Sequence, residues 1–141
     1  MRTLAFIVAL SAASFAQAPA ASLPAPVKSA FEKAYPGVAI TESTQEREGG
    51  RTLYRVDGVH GGKRRIVLYD ASGATIEVAE AVEEKDLPAP VAAAIRSHRR
   101  AIYVSGLKVT RGKDVEYRIT VRGSRRTAMV AKPDGTVVSF K

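Results

Sequence analysis

The five-residue string LPAPV occurs twice in this chain, at Leu23–Val27 and again at Leu87–Val91. The similarity continues beyond it, because LYRV at 53–56 aligns with EYRI at 116–119. Further matches extend over nearly all of the chain after residue 21, which indicates an internal repeat. The fold is therefore expected to consist of two copies of one structural unit.

Each copy opens with a helical pattern. Proline in the first turn suits a helix start, because the N–H that it lacks would be unpaired there. The i, i+3, i+4 and i+7 spacing of one apolar helical face is occupied by Val27, Ala30, Phe31 and Ala34 in the first copy and by Val91, Ala94, Ile95 and His98 in the second. We therefore expect helices near 24–35 and 88–99, with Phe31 and Ile95 as equivalent core residues.

Short alternating segments separated by glycine-containing turns follow each helix. The segment at 114–122 places Val115, Tyr117, Ile119 and Val121 on one side and polar residues on the other, as in a strand with one wet face. We predict an α+β fold of two tandem repeats, at 22–84 and 85–141. Each repeat is a helix packed on a four-stranded antiparallel meander sheet. Whether the repeats share one sheet or form two lobes is left open.

These motifs resemble the PepSY-like domains, which are grouped with the β-lactamase-inhibitor-like fold. The first copy carries Leu23, Pro24, Val27, Phe31, Tyr35, Pro36, Gly37, Tyr54, Val56, Asp70 and Gly73; the second carries Leu87, Pro88, Val91, Tyr117, Ile119, Asp134 and Gly135. The second copy departs from the pattern at SHRRA, where the first has KAYPG. The resemblance implies a secreted or periplasmic module that binds partners or modulates peptidases, and it does not imply a catalytic site.

Residues 1–21 have the order of a secretory signal: one arginine, an apolar run at Leu4–Leu10 and an alanine-rich tail. The run is far shorter than the roughly 20 residues of a membrane-spanning helix. We expect cleavage at the APA of 18–20, with a mature start near Ala21 or Ser22, and a periplasmic or secreted protein with no integral membrane span thereafter. An uncleaved N-terminal anchor is the alternative.

Charge is distributed unevenly along the chain. Residues 22–86 contain nine Lys and Arg against eleven Asp and Glu, whereas residues 87–141 contain twelve against three. This asymmetry favours an anionic partner or contact between the unlike halves, and a merely solvated surface is the alternative. Because an exported protein seldom meets nucleic acid, the expected partner is an unknown protein or an anionic envelope component.

The residue inventory offers no defensible catalytic pair or metal site. The chain has no cysteine, which excludes disulfides and thiolate chemistry. His60 lies in a glycine turn and His98 at a helix end, and neither has a second ligand at zinc spacing. The acidic run at 79–86 is interpreted as a solvated linker, because it lacks a dedicated calcium-loop pattern. We therefore expect no enzyme, no cofactor and no metal.

Basic residues of the second copy form the candidate site. Period two places Arg118 and Arg122 on one strand face, and the following turn brings Arg125 and Arg126 beside them, with one of the two sharing that face. Lys108 is expected to project from the preceding strand on the same wet side. Arginine suits carboxylates and phosphates, so this face is predicted to bind an anion or a protein, with internal pairing or solvation as the alternative.

Two functions remain open from the sequence. The first is a non-enzymatic binding or inhibitory module that works through a sheet face. The second is an envelope structural protein that holds anionic polymer or lipid through its basic half.

Overall fold

A computed structural model of the chain describes residues 22–98 and 100–141. The predicted export signal at 1–21 lies outside the described residues and stays a prediction. Within the described part, no helix is long and apolar enough to cross a membrane.

Two short helices are present, α1 at Ala25–Ala34 and α2 at Ala89–Ser97. Proline lies in the first turn of each, as the sequence predicted. After α1, Gly37 adopts a positive φ of 76°. After α2 there is no glycine, and Arg100 takes a φ of 56° instead, a conformation that costs a non-glycine residue energy. The second helix therefore ends with the same left-handed turn as the first, without the residue best suited to it.

Eight antiparallel strands form one continuous meander sheet in the order β1 to β8. The strands are β1 (Ile40–Glu48), β2 (Arg51–His60), β3 (Lys63–Asp70), β4 (Thr75–Ala81), β5 (Ile102–Arg111), β6 (Asp114–Arg122), β7 (Arg126–Ala131) and β8 (Val137–Phe140). Between β4 and α2, a single 3₁₀ turn spans Glu84–Asp86. Four strands follow each helix, and β4 pairs with β5. The α+β class and the antiparallel meander are confirmed, and the open question of one sheet or two lobes is answered in favour of one sheet.

Both helices cover the same face of this sheet. Strand register places Val56, Val67, Val78, Thr110 and Val115 in one row across β2 to β6, each directly opposite the next. Directly opposed residues point to the same face. The row begins in the cluster under α1 and ends against the cluster under α2, so within residues 22–98 and 100–141 the other face of the sheet carries no helix.

Two apolar clusters hold the helices to the sheet. The cluster under α1 consists of Val27, Phe31, Val56, Val67 and Tyr69, and the cluster under α2 of Leu87, Val91, Ile95, Tyr117, Ile119, Val121, Met129 and Ala131. Phe31 and Ile95 are both buried, as predicted. Burial, with a smaller contribution from Tyr35, raises the pKa of Tyr69 to about 12. The phenol therefore stays neutral in the core.

Glycine in two turns of the sheet allows close packing against the start of each helix. Gly73, between β3 and β4, has a φ of 85°, and a Cβ there would lie 2.6 Å from the carbonyl oxygen of Pro26. Gly135, between β7 and β8, has a φ of 87°, and its Cβ would lie 2.7 Å from the carbonyl oxygen of Pro90. Only glycine meets both the backbone conformation and the close approach.

Candidate binding face

The sheet surface opposite the helices is called the open face below. Asp57, Ile66, Ala79, Val109 and Glu116 form one row across it, because each is directly opposite the next in the register of β2 to β6. Val109 is only 2% exposed although no helix covers it. Long charged side chains are its neighbours on this face, and their aliphatic parts exclude water from such apolar positions.

A buried carboxylate lies on the open face of the first half. The side chain of Asp57 is 3% exposed. It accepts hydrogen bonds from Arg55 Nε at 3.1 Å and from Arg64 Nε and Nη2 at 3.0 and 2.8 Å. Two guanidinium groups therefore compensate its charge, which burial would otherwise make very costly.

A second carboxylate joins the two halves. Glu77 on β4, with a side chain 12% exposed, accepts hydrogen bonds from Arg111 Nη2 at 2.9 Å and from Arg118 Nη1 at 3.2 Å. Both arginines belong to the second half, and Glu48 of the first half adds a longer contact of 3.9 Å to Arg111. Contact between unlike halves, one explanation of the charge asymmetry, is thus present in the structure.

Arg118 is consequently an internally paired residue. Its Nε also donates to Glu116 Oε1 at 2.7 Å. Desolvation lowers the pKa of Arg118, but the hydrogen bond to Glu116 and the charge of Glu77 outweigh it and hold the pKa above its usual value. Its guanidinium is held by two carboxylates of the protein itself.

Lys108 was placed on the wrong face by the sequence analysis. Register sets it opposite Tyr117 and Glu80, so it lies on the helix-bearing side of the sheet. A β-bulge between Tyr103 and Ser105 shifts the register within β5, and such an irregularity cannot be read from alternation alone. Lys108 therefore does not contribute to the open face.

Arg122, Arg125 and Arg126 lie together at one end of the open face of the second half. Arg122 on β6 is directly opposite Arg126 on β7, while Arg125 lies in the turn between them. All three are exposed. Ile102 on β5 is opposite Arg122 on the other side and is 58% exposed. The predicted clustering of these arginines is thus found, and their binding role stays a prediction.

A shallow cleft lies between this arginine cluster and the paired charges. Its volume is about 440 Å³. The open-face side chains that line it are Arg64, Ala81, Ser105, Leu107, Arg118, Thr120, Ala128 and Val130. Its centre is formed by small and apolar side chains, and the two arginines at its edges are paired with carboxylates of the chain.

Asp57 and Glu77 were not predicted from the sequence, although one signal was available. Asp57 interrupts an otherwise apolar YRVDGV segment, and alternation would have placed it on the wet face with Arg55. Its burial depends on Arg64 of the next strand, which only the register brings within reach. Glu77 likewise acquires its partners only through the pairing of β4 with β5.

The two histidines take part in aromatic contacts. The ring of His98 lies 3.6 Å from that of Phe140, centroid to centroid, and the ring of His60 lies 5.9 Å from that of Tyr35. Among the described residues, no group of three His, Asp or Glu side chains is arranged to hold a metal ion.

Known proteins of the same fold were found among solved structures. One is from Bacteroides eggerthii, provisionally described as periplasmic, with a TM-score of 0.72 and 16% identity over 85% of this chain and 88% of that one. Another is a DUF2874 family protein of Bacteroides uniformis, with a TM-score of 0.71 and 16% identity over 85% and 89% of the two chains. A BLIP-like protein of Bacteroides fragilis has a TM-score of 0.65 and 18% identity over 85% and 86%.

These likenesses define the class of fold, a BLIP-like arrangement of helices on one antiparallel sheet. No family model matches the chain. A search of curated proteins found no match either.

Proposed function

We propose that this chain is an exported, non-enzymatic binding protein of the PepSY-like group that captures a protein partner on its open face. It consists of a cleaved signal at 1–21 and two tandem repeats at 22–84 and 85–141. Three observations support this proposal. The LPAPV string is repeated, each half has the same order of one helix and four strands, and the similar structures are described as periplasmic or BLIP-like proteins.

The single observation that carries the proposal is the uncovered sheet face. Both helices pack on one side, so the other side of an eight-stranded sheet is accessible. It combines a cleft of about 440 Å³, apolar at its centre and edged by paired arginines, with the exposed arginines at the β6–β7 turn, the composition of an interface core with a polar rim. Rigid strands hold these side chains in place, which lowers the entropic cost of binding.

Site-specific photo-crosslinking in cells that export the protein tests this function. A photoreactive residue at Ile102, on the open face, should yield a discrete protein adduct. The same residue at Lys28, exposed on α1, should not. Equal adducts from both positions, or adducts from Lys28 alone, would contradict binding through the open face. The intact mass of the exported protein should also lack about the first 21 residues.

The alternative function is an envelope structural protein that binds anionic polymer or lipid. The exposed arginines at the β6–β7 turn favour it. In that case the protein should be retained on anionic vesicles, and retention should be lost as salt rises through physiological ionic strength, because exposed charges are screened there. No Ile102 adduct with a protein should then form.

A further inference from the structure

The two halves of the open face carry the same arginines around different central residues. In β2 the sequence is YRVD and in β6 it is YRIT, so Arg55 corresponds to Arg118 and Asp57 to Thr120. The pairing agrees, because Asp57 is opposite Ile66 on β3 while Thr120 is opposite Ala128 on β7. Thr120 thus occupies the position that a buried carboxylate fills in the first half.

Arg64, the second arginine that binds Asp57 in the first half, also has a counterpart in the second half. Arg64 is two residues before Ile66 on β3, and Arg126 is two residues before Ala128 on β7. Opposite Arg64 lies Val59, whereas opposite Arg126 lies Arg122. The second half therefore has Arg126 at the position of Arg64, the cation that binds Asp57 in the first half. It also has a second cation, Arg122, at the position of Val59.

Acidic residues are missing around Thr120 on the neighbouring strands as well. Asp57 is opposite Glu42 on β1, but Thr120 is opposite Ser105 on β5. On the other side, Lys141 is joined to Ala128 by two backbone hydrogen bonds of 2.8 and 2.9 Å. This pairing places Lys141 on the open face beside Ala128.

Within the described chain, Arg122 and Arg126 form no ion pair. Arg122 and Arg126 are directly opposed like charges, an arrangement that destabilises a sheet unless an anion compensates it. Arg118, by contrast, is compensated, because it forms ion pairs with Glu116 and Glu77. Arg122 lies two residues beyond Thr120 on β6 and is opposite Arg126 on β7, so the uncompensated arginines lie beside Thr120 on the side of the β6–β7 turn.

We propose that the open face around Thr120 is a receptor for an aspartate or glutamate side chain of the protein partner. The partner's carboxylate would bind Arg126, the counterpart of Arg64, and Arg122, which stands where the first half has Val59. Arg118, the counterpart of Arg55, stays paired with Glu116 and Glu77. An adjacent apolar side chain of the partner would enter the cleft. We choose a carboxylate because Arg64, the first-half counterpart of Arg126, binds the carboxylate of Asp57. This inference rests on the proposed function and names the chemistry of its partner.

Chemical-shift titration of the mature protein with a capped Glu-Gly-Glu peptide tests the site. The amides of Thr120, Ala128 and Lys141 should shift with saturation, and the matched Gln-Gly-Gln peptide should leave them in place. Thr120→Asp should supply the missing carboxylate from within and weaken peptide binding about tenfold or more, as expected when charge-assisted hydrogen bonds are lost.

Matched variants separate this effect from general charge. Ser29→Asp adds the same charge on exposed α1, and should change the affinity less than about twofold because screening weakens distant charges. Arg126→Gln, an exposed change that leaves the fold intact, should weaken binding as Thr120→Asp does. Unchanged affinity in Arg126→Gln, or equal losses in Thr120→Asp and Ser29→Asp, would overturn the proposal.

Other anions provide the last comparison. Inorganic phosphate and phosphatidylglycerol vesicles should saturate the same amides more weakly than the peptide, and tighter saturation by either would overturn the assignment to a protein carboxylate. An Ile102 adduct combined with Thr120-independent peptide binding would refute this inference alone. Peptide binding that depends on Thr120, with no Ile102 adduct, would refute the proposed function alone.

Discussion

Individual charged residues on the open face differ in how deeply they are buried and in which opposite charges neutralise them. Asp57 is buried and held by two arginines, whereas Glu46, which also contacts Arg55 at 3.9 Å, has a side chain 46% exposed. Removing one partner of a buried hydrogen-bonded charge pair costs far more stability than removing one partner of an exposed pair. The geometry therefore singles out Asp57 among the acidic residues of β1 and β2.

Replacing this carboxylate tests that ranking. Asp57→Asn should lower the free energy of unfolding by about 1–3 kcal/mol, because the arginine hydrogen bonds lose their charge and part of their geometry. Glu46→Gln, the same isosteric change on the other acidic partner of Arg55, should stay within about 0.5 kcal/mol of wild type. Denaturant unfolding of both variants checks this, and equal effects would show that the burial of Asp57 contributes nothing.

Turns and helices hold the sheet in register at the scale of elements. The turn between β3 and β4 is organised by Asp70, whose carboxylate accepts hydrogen bonds from Ser72 Oγ at 2.6 Å, Ser72 N at 2.9 Å and Ala74 N at 3.0 Å. The Ser72 side chain first, then Ala74 N–H, holds the pKa of Asp70 below its usual 3.8. This turn also brings Gly73 against α1, so it links the sheet to the helix.

The direction of the Asp70 shift predicts a pH dependence. Since its pKa is lower in the folded state, its contribution is fully present above the unfolded value of 3.8 and is lost as the pH falls through the lower folded value. Asp70→Asn should therefore show a flatter stability profile than wild type in acid, with the largest difference between the variants near neutral pH. Parallel profiles below pH about 4 would contradict this assignment.

Packing of α1 on the sheet depends most on its one large aromatic residue. Phe31 is fully buried, and its ring lies 5.1 Å from that of Tyr35. Phe31→Ala should lower the free energy of unfolding by about 3–5 kcal/mol through lost contacts and a new cavity. Chemical denaturation measures the change, and a loss below about 1 kcal/mol would mean that α1 is not anchored by this side chain.

The whole molecule depends on a junction between two separate apolar clusters. Four residue pairs join β4 to β5, from Val78 with Thr110 to Ala81 with Leu107. Glu77 adds ion pairs to Arg111 and Arg118 across the same junction. Backbone and polar interactions, together with Ala79 opposite Val109 and Val82 packed against the cluster under α2, therefore connect the two halves.

Removing the junction charge should loosen the connection. Glu77→Gln should speed hydrogen exchange of the β4 and β5 amides about tenfold or more, while amides in the centre of β2 change less. Glu48→Gln is the control, since Glu48 contacts Arg111 at 3.9 Å with a side chain 58% exposed. Uniform acceleration over all strands would show that the two halves open together and that Glu77 does not act locally.

The sequence by itself determined the elements of this protein, because their signals are local. Helical spacing predicted α1 and α2 to within two residues, and Phe31 and Ile95 as core positions. Alternation and glycine turns predicted antiparallel strands, and placed Arg118 and Arg122 on one face. Each of these inferences uses neighbours within one helical turn or one strand.

Only the tertiary structure decided how the faces are composed. The continuity of β4 with β5, the misplacement of Lys108 and the burial of Asp57 all depend on register between strands that are distant in sequence. A one-residue irregularity such as the bulge in β5 moves side chains to the opposite face. The sequence itself aligns Thr120 with Asp57. For the same physical reason, only the register reveals that Arg55 and Arg64 bind a buried carboxylate at that position in the first half.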